Sequence, residues 1–270
     1  MLVFFARAYA RTVRRGVIVS LLFFLSKTYA VDCDTDVLLE SQEDIDNFVC
    51  DGGETVVAGN LTIDDATDYG IEDVTALSVL TGIDGDFIVR NNNALRTIEG
   101  LVNIENVGGS LIIEDHLQLA NIDGLASLTE IGGDLVLFTN YALQNVNGLS
   151  ALEEIGTDLI IRENDVLANV NGLNLIEVVT GDLVIRDNSL LENVDGLESL
   201  TSIGQDLVFR NNPAPDNLAG LAGLQAIGRD FIIEGNFKLN NLDGLSSLVS
   251  IDRDLKVESN PALANFEGLS

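Results

Sequence analysis

Hydrophobic and polar residues repeat with a period of 24 over most of this chain. Units begin at residues 85, 109, 133, 157, 181, 205, 229 and 253. A typical unit starts with G-D-L-x-I and has Asn at position 8, followed by a Leu. It continues with V-x-G-L at positions 14–17 and Leu at position 20, and it ends with I-G at positions 23 and 24. Positions 3 and 5 are apolar in every unit, which predicts a short β-strand with both side chains pointing inward. Positions 14, 17, 20 and 23 form further apolar columns. Because one such unit cannot bury its own apolar face, we expect an all-β fold in which the units stack as 24-residue coils of a parallel β-solenoid.

Polar columns indicate the corners of each coil. Position 16 is Gly in all eight units, which we attribute to a turn that needs a positive φ. Positions 8 and 13 are each Asn in seven of eight units, and stacked amides can bond along a column and to turn backbone. His116, the only histidine, is the exception at position 8, so we interpret it as a substitution in a structural ladder. Position 2 is Asp in seven of eight units and favours a solvated turn edge.

The organisation predicted from these patterns has three parts. Residues 1–30 form a signal peptide, residues 31–58 an N-terminal cap, and residues 59–270 the solenoid. The solenoid has an irregular coil at 59–84 with two extra residues near 64–72, then regular coils from 85, the last of them truncated. A short helix that begins after Ser41 is expected in the cap. The truncated coil would expose an apolar end, which predicts a fragment or an end covered by a partner or by more chain.

Export is the favoured interpretation of the N-terminal segment. Arg11, Arg14 and Arg15 precede the apolar run 16–25, and a small-residue cleavage site ends at Ala30. An uncleaved leader is the alternative. The only two cysteines are Cys33 and Cys50, and in an exported protein this pair predicts one disulfide that closes the cap. Asn60 lies in the sequon N-L-T and is a glycosylation site if the host is eukaryotic.

The composition argues against several classes of function. The formal net charge is −29, and removal of the five basic residues in the first 30 would take it to −34. Such a surface repels nucleic acid and anionic lipid, so we expect no nucleic-acid partner, and membrane contact only through a missing anchor or an uncleaved leader. No nucleophile elbow, phosphate loop or dinucleotide motif occurs, and the acids recur in nearly every coil, as structural residues do. We therefore expect no catalytic residue, metal or cofactor.

The chain also resembles a known family. The residues that carry the resemblance are C-D-T-D-V-L-L-E-S-Q-E-D-I-D-N-F-V-C at 33–50, G-N-L-T-I at 59–63 and the repeated G-D-L-x-I units. Over residues 33–270 the chain resembles the receptor L-domain superfamily. In the style of its repeats it resembles fungal GPI-anchored cell-wall organisation proteins and similar microbial surface proteins. The resemblance implies a right-handed β-helix with leucine-rich-repeat character and a role in binding or scaffolding. Unlike growth-factor receptors, this chain has a highly regular period and no Cys-rich module, kinase or C-terminal anchor signal.

A candidate binding face follows from the outward positions of the strands. Position 4 lies between two inward residues, yet it is Ile or Val in seven consecutive units, and such an apolar stripe is typical of an interface. Strand propensity alone is the alternative explanation. At position 6, three consecutive units carry Arg, which predicts binding of a carboxylated partner or glycan unless neighbours such as Glu163 and Asp187 pair with them. The predicted face consists of Ile112, Val136, Phe138, Ile160, Arg162, Val184, Arg186, Val208 and Arg210.

Together these features predict a secreted or cell-surface, non-enzymatic binding module that recognises protein or glycan through its strand face, with self-association as a further possibility. Two alternatives stay open. One is a structural cell-wall or cell-envelope protein in which the acidic solenoid acts as a spacer. The other is an ectodomain fragment of a membrane receptor.

Overall fold

The computed structural model describes residues 30–65 and 70–269 and confirms the parallel β-solenoid. Its strands, numbered along the chain, form two parallel sheets of ten and nine strands. The ten-stranded sheet contains β1 Val37–Leu39, β3 Leu61–Asp64, β5 Phe87–Arg90, β7 Leu111–His116, β9 Leu135–Asn140, β11 Leu159–Arg162, β13 Leu183–Arg186, β15 Leu207–Arg210, β17 Phe231–Glu234 and β19 Leu255–Glu258. The nine-stranded sheet contains β2 Val56–Val57, β4 Gly82–Ile83, β6 Asn106–Val107, β8 Glu130–Ile131, β10 Glu154–Ile155, β12 Val178–Val179, β14 Ser202–Ile203, β16 Ala226–Ile227 and β18 Ser250–Ile251.

Short 3-10 helices form the third side of most coils. They span Thr75–Val79, Glu99–Leu101, Asp123–Leu125, Asn147–Leu149, Asn171–Leu173, Asp195–Leu197, Ala219–Leu221 and Glu267–Leu269. The strand register repeats the sequence period, since Leu159 is the partner of Leu183 and Leu183 is the partner of Leu207. Equivalent residues of successive units therefore lie directly above one another.

The core contains the apolar columns that the pattern predicted. Positions 3 and 5 are almost completely buried in the interior coils, as are positions 14, 17, 20 and 23. The structure adds position 11, which was not among the predicted core columns: Leu95, Leu119, Leu143, Leu167, Leu191 and Leu239 are fully buried there. In the last described coil the same columns are open, and Leu255 and Phe266 are exposed.

The explanation given for the glycine column at position 16 is wrong for most coils. Of the eight glycines in the column, only Gly244 has a positive φ, at 103°. The others are required by close packing between coils, because a Cβ on Gly172, for example, would overlap the carbonyl oxygen of Val146 in the preceding coil. The left-handed backbone lies instead at position 7, at the end of the strand that each coil contributes to the ten-stranded sheet. It is adopted by Asn91, Asp115, Thr139, Glu163, Asp187, Asn211, Gly235 and Ser259, with φ between 54° and 73°.

Position 8 forms the predicted ladder. Asn140, Asn164, Asn188, Asn212 and Asn236 are fully buried. Each bonds backbone and side chain of the neighbouring coils: the Oδ1 of Asn164 accepts the backbone N–H of Asn140 at 3.1 Å, and its Nδ2 donates to the carbonyl of Leu137 at 3.0 Å. These bonds satisfy polar groups at a buried corner, which explains why the column is Asn.

Positions 2 and 13 satisfy backbone groups in different ways. At position 2, the Oδ1 of one aspartate accepts the N–H of the next, as from Asp182 to Asp158 at 2.7 Å, so the column is a second ladder. At position 13, the side chain bonds locally, since the Oδ1 of Asn193 accepts the N–H of Asp195 at 3.2 Å. The expectation of bonding along the position-13 column is thus replaced by a local Asx turn just before the 3-10 helix.

The N-terminal segment is fused to the solenoid. The disulfide between Cys33 and Cys50 is present, with Cα atoms 5.4 Å apart. Helix α1 spans Gln42–Asp46, and the Ser41 side chain accepts the N–H of Asp44, as predicted for its N-cap. Strand β1 pairs with β3 in parallel, so the predicted cap supplies the first rung of the large sheet. The predicted signal peptide lies almost wholly outside the described residues, as do residues 66–69 of the predicted bulge.

Candidate ligand-binding surface

The outer surface of the ten-stranded sheet, which we call the strand face, consists of the residues at positions 4 and 6. At position 4, Ile88, Ile112, Val136, Ile160, Val184, Val208 and Ile232 point outward and are half-buried by their neighbours. The register places each beside the next, as in the pairs Ile160–Val184 and Val184–Val208. Seven strands spaced by about 4.8 Å give an apolar stripe about 29 Å long. Lys256 ends the stripe in the last described coil.

The predicted arginine cluster lies beside this stripe, but its charges are paired within the chain. Arg162 and Arg186 both approach Glu163, at 3.2 and 3.7 Å, and Arg186 also contacts Asp187 at 2.5 Å. Arg210 pairs with Glu234 at 2.8 Å. The alternative in which acidic neighbours neutralise the arginines is therefore the one that the structure shows.

Phe138 extends the position-6 column toward the N-terminus. The guanidinium of Arg162 lies over its ring, 3.5 Å from the centroid. A guanidinium held against an aromatic face is attracted by the ring quadrupole. This stacked pair is thus a fixed, planar part of the strand face, next to the apolar stripe.

A shallow groove of about 360 Å³ runs along the corner next to the strand face. We call it the corner groove. Its lining comes from position 7 in four coils and position 9 in five, namely Glu163, Asp187, Asn211, Gly235, Tyr141, Asp165, Ser189, Pro213 and Phe237. Tyr141 and Phe237 are 47% and 63% exposed, which is unusual for aromatic side chains. They come from coils four steps apart, or about 19 Å along the solenoid.

Hydrogen bonds hold the polar lining of this groove in place. Ser189 donates to Asp165 at 2.8 Å, and the Nδ2 of Asn211 donates to Asp187 at 2.8 Å. Glu163 and Asp187 are the same carboxylates that pair with the strand-face arginines. The corner groove and the strand face therefore form one connected surface.

The corner groove was not predicted from the sequence. Neither of its columns has a single repeated residue type, and position 9 reads Asn, Leu, Tyr, Asp, Ser, Pro, Phe and Pro. A signal was nevertheless present at position 7. Asn, Asp and Gly fill five of its eight places, and these residues adopt positive φ most readily.

His116 lies inside the position-8 ladder and not on a surface. It is fully buried, and its Nδ1 is 2.9 Å from the Oδ1 of Asn140 while its Nε2 is 3.5 Å from the Nδ2 of Asn92. Because the Asn140 oxygen can only accept, the neutral ring carries its proton on Nδ1. Burial lowers the pKa of His116 from 6.5 to about 4, and the bond with Asn140 opposes that shift. The residue is thus a neutral member of the ladder, as interpreted from the sequence.

Outside the strand face and the corner groove, the described surface has fewer features that are typical of a binding site. The described residues contain no group of three or more His, Cys, Asp or Glu side chains placed to hold a metal ion. A second depression, beside the nine-stranded sheet, is lined by Glu153, Glu154, Leu175 and Glu177 and includes no aromatic side chain. Among the helices of the described part, none is long and apolar enough to cross a membrane.

Asn60 occupies position 2 of the irregular coil. Its side chain is half-buried, and its Oδ1 accepts the N–H of Asp86 at 2.7 Å, which adds it to the position-2 ladder. Glycosylation here stays a prediction, and a glycan would be attached to a residue that already bonds the next coil.

Comparison of the chain with family models, curated proteins and solved structures finds no match. A function for this chain must therefore be inferred from its fold and from the two connected surfaces.

Proposed function

We propose that this protein is an extracellular or cell-surface, non-enzymatic binding module that recognises a protein or glycan through the strand face. The observation that carries the proposal is the apolar stripe at position 4, which continues over seven adjacent strands outside the core. An aliphatic surface of this length, flanked by ion-paired arginines, offers the mixture of apolar core and polar rim that binding interfaces have. The Cys33–Cys50 disulfide is compatible with an oxidising, extracellular location.

The recurrent polar columns support a non-enzymatic role. The Asn side chains of position 8 and the Asp side chains of position 2 bond the backbone of the neighbouring coil. Groups committed to such bonds stabilise the fold and have little freedom for acid–base chemistry. The proposal therefore assigns the strand face to recognition and the ladders to stability.

A structural spacer in a cell wall or envelope is the second candidate. The two ladders bond successive coils along the solenoid, and such repeated cross-links favour a stiff, elongated body. In this case the strand face would have no ligand and the stripe would reflect strand propensity.

Charge introduced into the stripe distinguishes the two candidates. The full chain, expressed for secretion and purified as the host processes it, is compared with the double variant Ile160→Asp/Val184→Asp by light scattering and by binding to panels of defined glycans and cell-surface proteins. Val178→Asp is the matched control, since Val178 is an exposed strand residue of the opposite, nine-stranded sheet. Circular dichroism verifies that each variant is folded.

The binding proposal expects the double variant to stay folded and to lose a partner or a dimer that Val178→Asp retains. A folded double variant with unchanged binding and assembly would contradict it and favour the spacer. Failure of the double variant alone to fold would mean that the stripe is needed for packing, which also contradicts its assignment as a free surface.

A further inference from the structure

The corner groove has features that the fold alone does not require. Position 9 is outside the core columns, and its residue type changes from coil to coil. Yet an exposed aromatic residue lies at each end of the groove, and the three intervening coils have only Asp165, Ser189 and Pro213 at this position. Exposed aromatic side chains are enriched at binding surfaces.

Local structure at one end of the groove also departs from the optimum for stability. Thr139, two residues before Tyr141, has a φ of 56°, which is a rare conformation for a β-branched residue. Its Oγ1 is buried and has no hydrogen-bond partner among the described residues. A left-handed φ is common to position 7 in all eight coils, so what distinguishes Thr139 is a β-branched residue with an unpaired buried hydroxyl at that corner, a combination that the fold does not require.

The charge balance of the groove selects the class of ligand. Of its three carboxylates, Glu163 and Asp187 are paired with Arg162 and Arg186, while Asp165 accepts a neutral hydrogen bond from Ser189. The groove with its two arginines therefore carries a local charge close to −1, in a chain whose net charge is −29. An anionic polymer is repelled by the whole molecule, and a cationic ligand finds most of the local carboxylate charge already compensated.

From this geometry we infer that the corner groove binds a neutral oligosaccharide lengthwise. Tyr141 and Phe237 would stack on the apolar faces of sugar rings. The ordered acceptors and donors between them, on Asp165, Ser189 and Asn211, would bond sugar hydroxyls. The open, elongated shape suits a segment of a polymer better than a compact small molecule. The inference rests on the proposed binding function. It specifies a neutral oligosaccharide as the ligand and adds the corner groove as a second contact region beside the strand face.

The test is binding of short neutral oligosaccharides to the full chain, measured by titration calorimetry. The probes are β-1,3-glucan, β-1,4-glucan, chitin and α-mannan fragments, with polygalacturonate as the anionic probe and oligolysine as the cationic one. We expect at least one neutral probe to bind, with an affinity that changes little with salt, because no net charge is neutralised. Tyr141→Ala and Phe237→Ala should each weaken it by about tenfold, the upper range for loss of one aromatic contact.

Leu190→Ala is the matched control, because Leu190 is exposed on the next position of an intervening coil and does not line the groove. It should bind as the unaltered chain does. Equal weakening by all three variants would overturn the inference. Salt-sensitive binding of oligolysine at the groove, with no neutral probe bound, would overturn it in favour of a cationic ligand.

The same measurements separate this inference from the proposed function. If no oligosaccharide binds, but a defined protein of the panel binds and Ile160→Asp/Val184→Asp abolishes that binding, the glycan inference fails and the strand-face proposal stands. If neither kind of ligand binds, both fail.

Discussion

Replacement of Asn164 by alanine tests whether the position-8 ladder holds the coils together. Asn164 is fully buried at the corner that follows β11. Its Oδ1 accepts the backbone N–H and the Nδ2 of Asn140, at 3.1 and 3.2 Å. Its Nδ2 donates to the carbonyls of Leu137 and Arg162, at 3.0 and 3.1 Å. Alanine would remove all four bonds.

The expected loss can be worked from the groups that are left behind. A buried donor or acceptor without a partner costs about 1–3 kcal/mol. The N–H of Asn140 is buried with its residue and loses this acceptor, and the Leu137 carbonyl in the core loses a donor. Two such groups give an expected decrease of about 2–6 kcal/mol in the free energy of unfolding.

Asn193→Ala is the matched control, because it removes an asparagine of the other Asn column, position 13. Asn193 is half-buried and accepts one N–H, that of Asp195 at 3.2 Å. Loss of such a local hydrogen bond costs about 1 kcal/mol. Urea unfolding followed by circular dichroism gives both values, provided that the slopes of the transitions agree. If Asn164→Ala cost no more than Asn193→Ala, the ladder would contribute nothing beyond a local turn and its role in joining the coils would be refuted.

Two further predictions concern stability. Because the pKa of His116 is about 4 in the folded protein and 6.5 in the unfolded chain, the unfolded state takes up the proton first. Stability contributed by His116 is therefore complete above pH 6.5 and is lost as the pH falls toward 4, by about 2 kcal/mol between pH 7.5 and 5. His116→Asn, which restores the ladder residue, should remove that part of the pH dependence in urea titrations, and an unchanged dependence would assign it to other groups. Gly172→Ala should lower the free energy of unfolding by more than 3 kcal/mol or prevent folding, as roughly expected for severe overpacking, because its Cβ would overlap the Val146 carbonyl. Gly53→Ala, at an open site with a φ of 80°, should cost only about 1 kcal/mol, and equal losses in thermal melts would contradict the packing explanation.

The sequence predicts the coil because the same constraint acts on every repeat. Positions 3 and 5 must fill the interior in each unit, so their apolar character is repeated and the strand and its inward side can be inferred. The glycine at position 16 shows the limit of this reasoning. A repeated glycine is explained equally well by a positive φ and by close packing of backbone against backbone. Only the stacking of the coils shows that Gly172 packs against the backbone carbonyl of Val146.

Columns without a repeated residue type are harder to interpret from sequence. Tyr141 and Phe237 are four coils apart and belong to a column that contains no common side chain, so no periodic signal connects them. Both residues line one groove because the strands are in register and because the left-handed corner at position 7 sets the direction of the chain after each strand. The ion pairs of the arginines were easier to predict from the sequence, since Glu163 and Asp187 are sequence neighbours of Arg162 and Arg186.

The contrast between repeated and unrepeated columns also indicates where binding specificity can arise. A ladder residue such as Asn164 bonds both neighbouring coils, so a change there disturbs three coils at once. An outward residue such as Phe237 contributes to no ladder and can change with little effect on the stack. Variation at positions 6 and 9 is therefore tolerated by the fold, and under the binding proposal a ligand would select the side chains found there. The aromatic and ion-paired side chains of the strand face and corner groove lie in these two columns and in the left-handed corner between them, so a solenoid that is uniform in its core presents the varied surface on which the binding proposal rests.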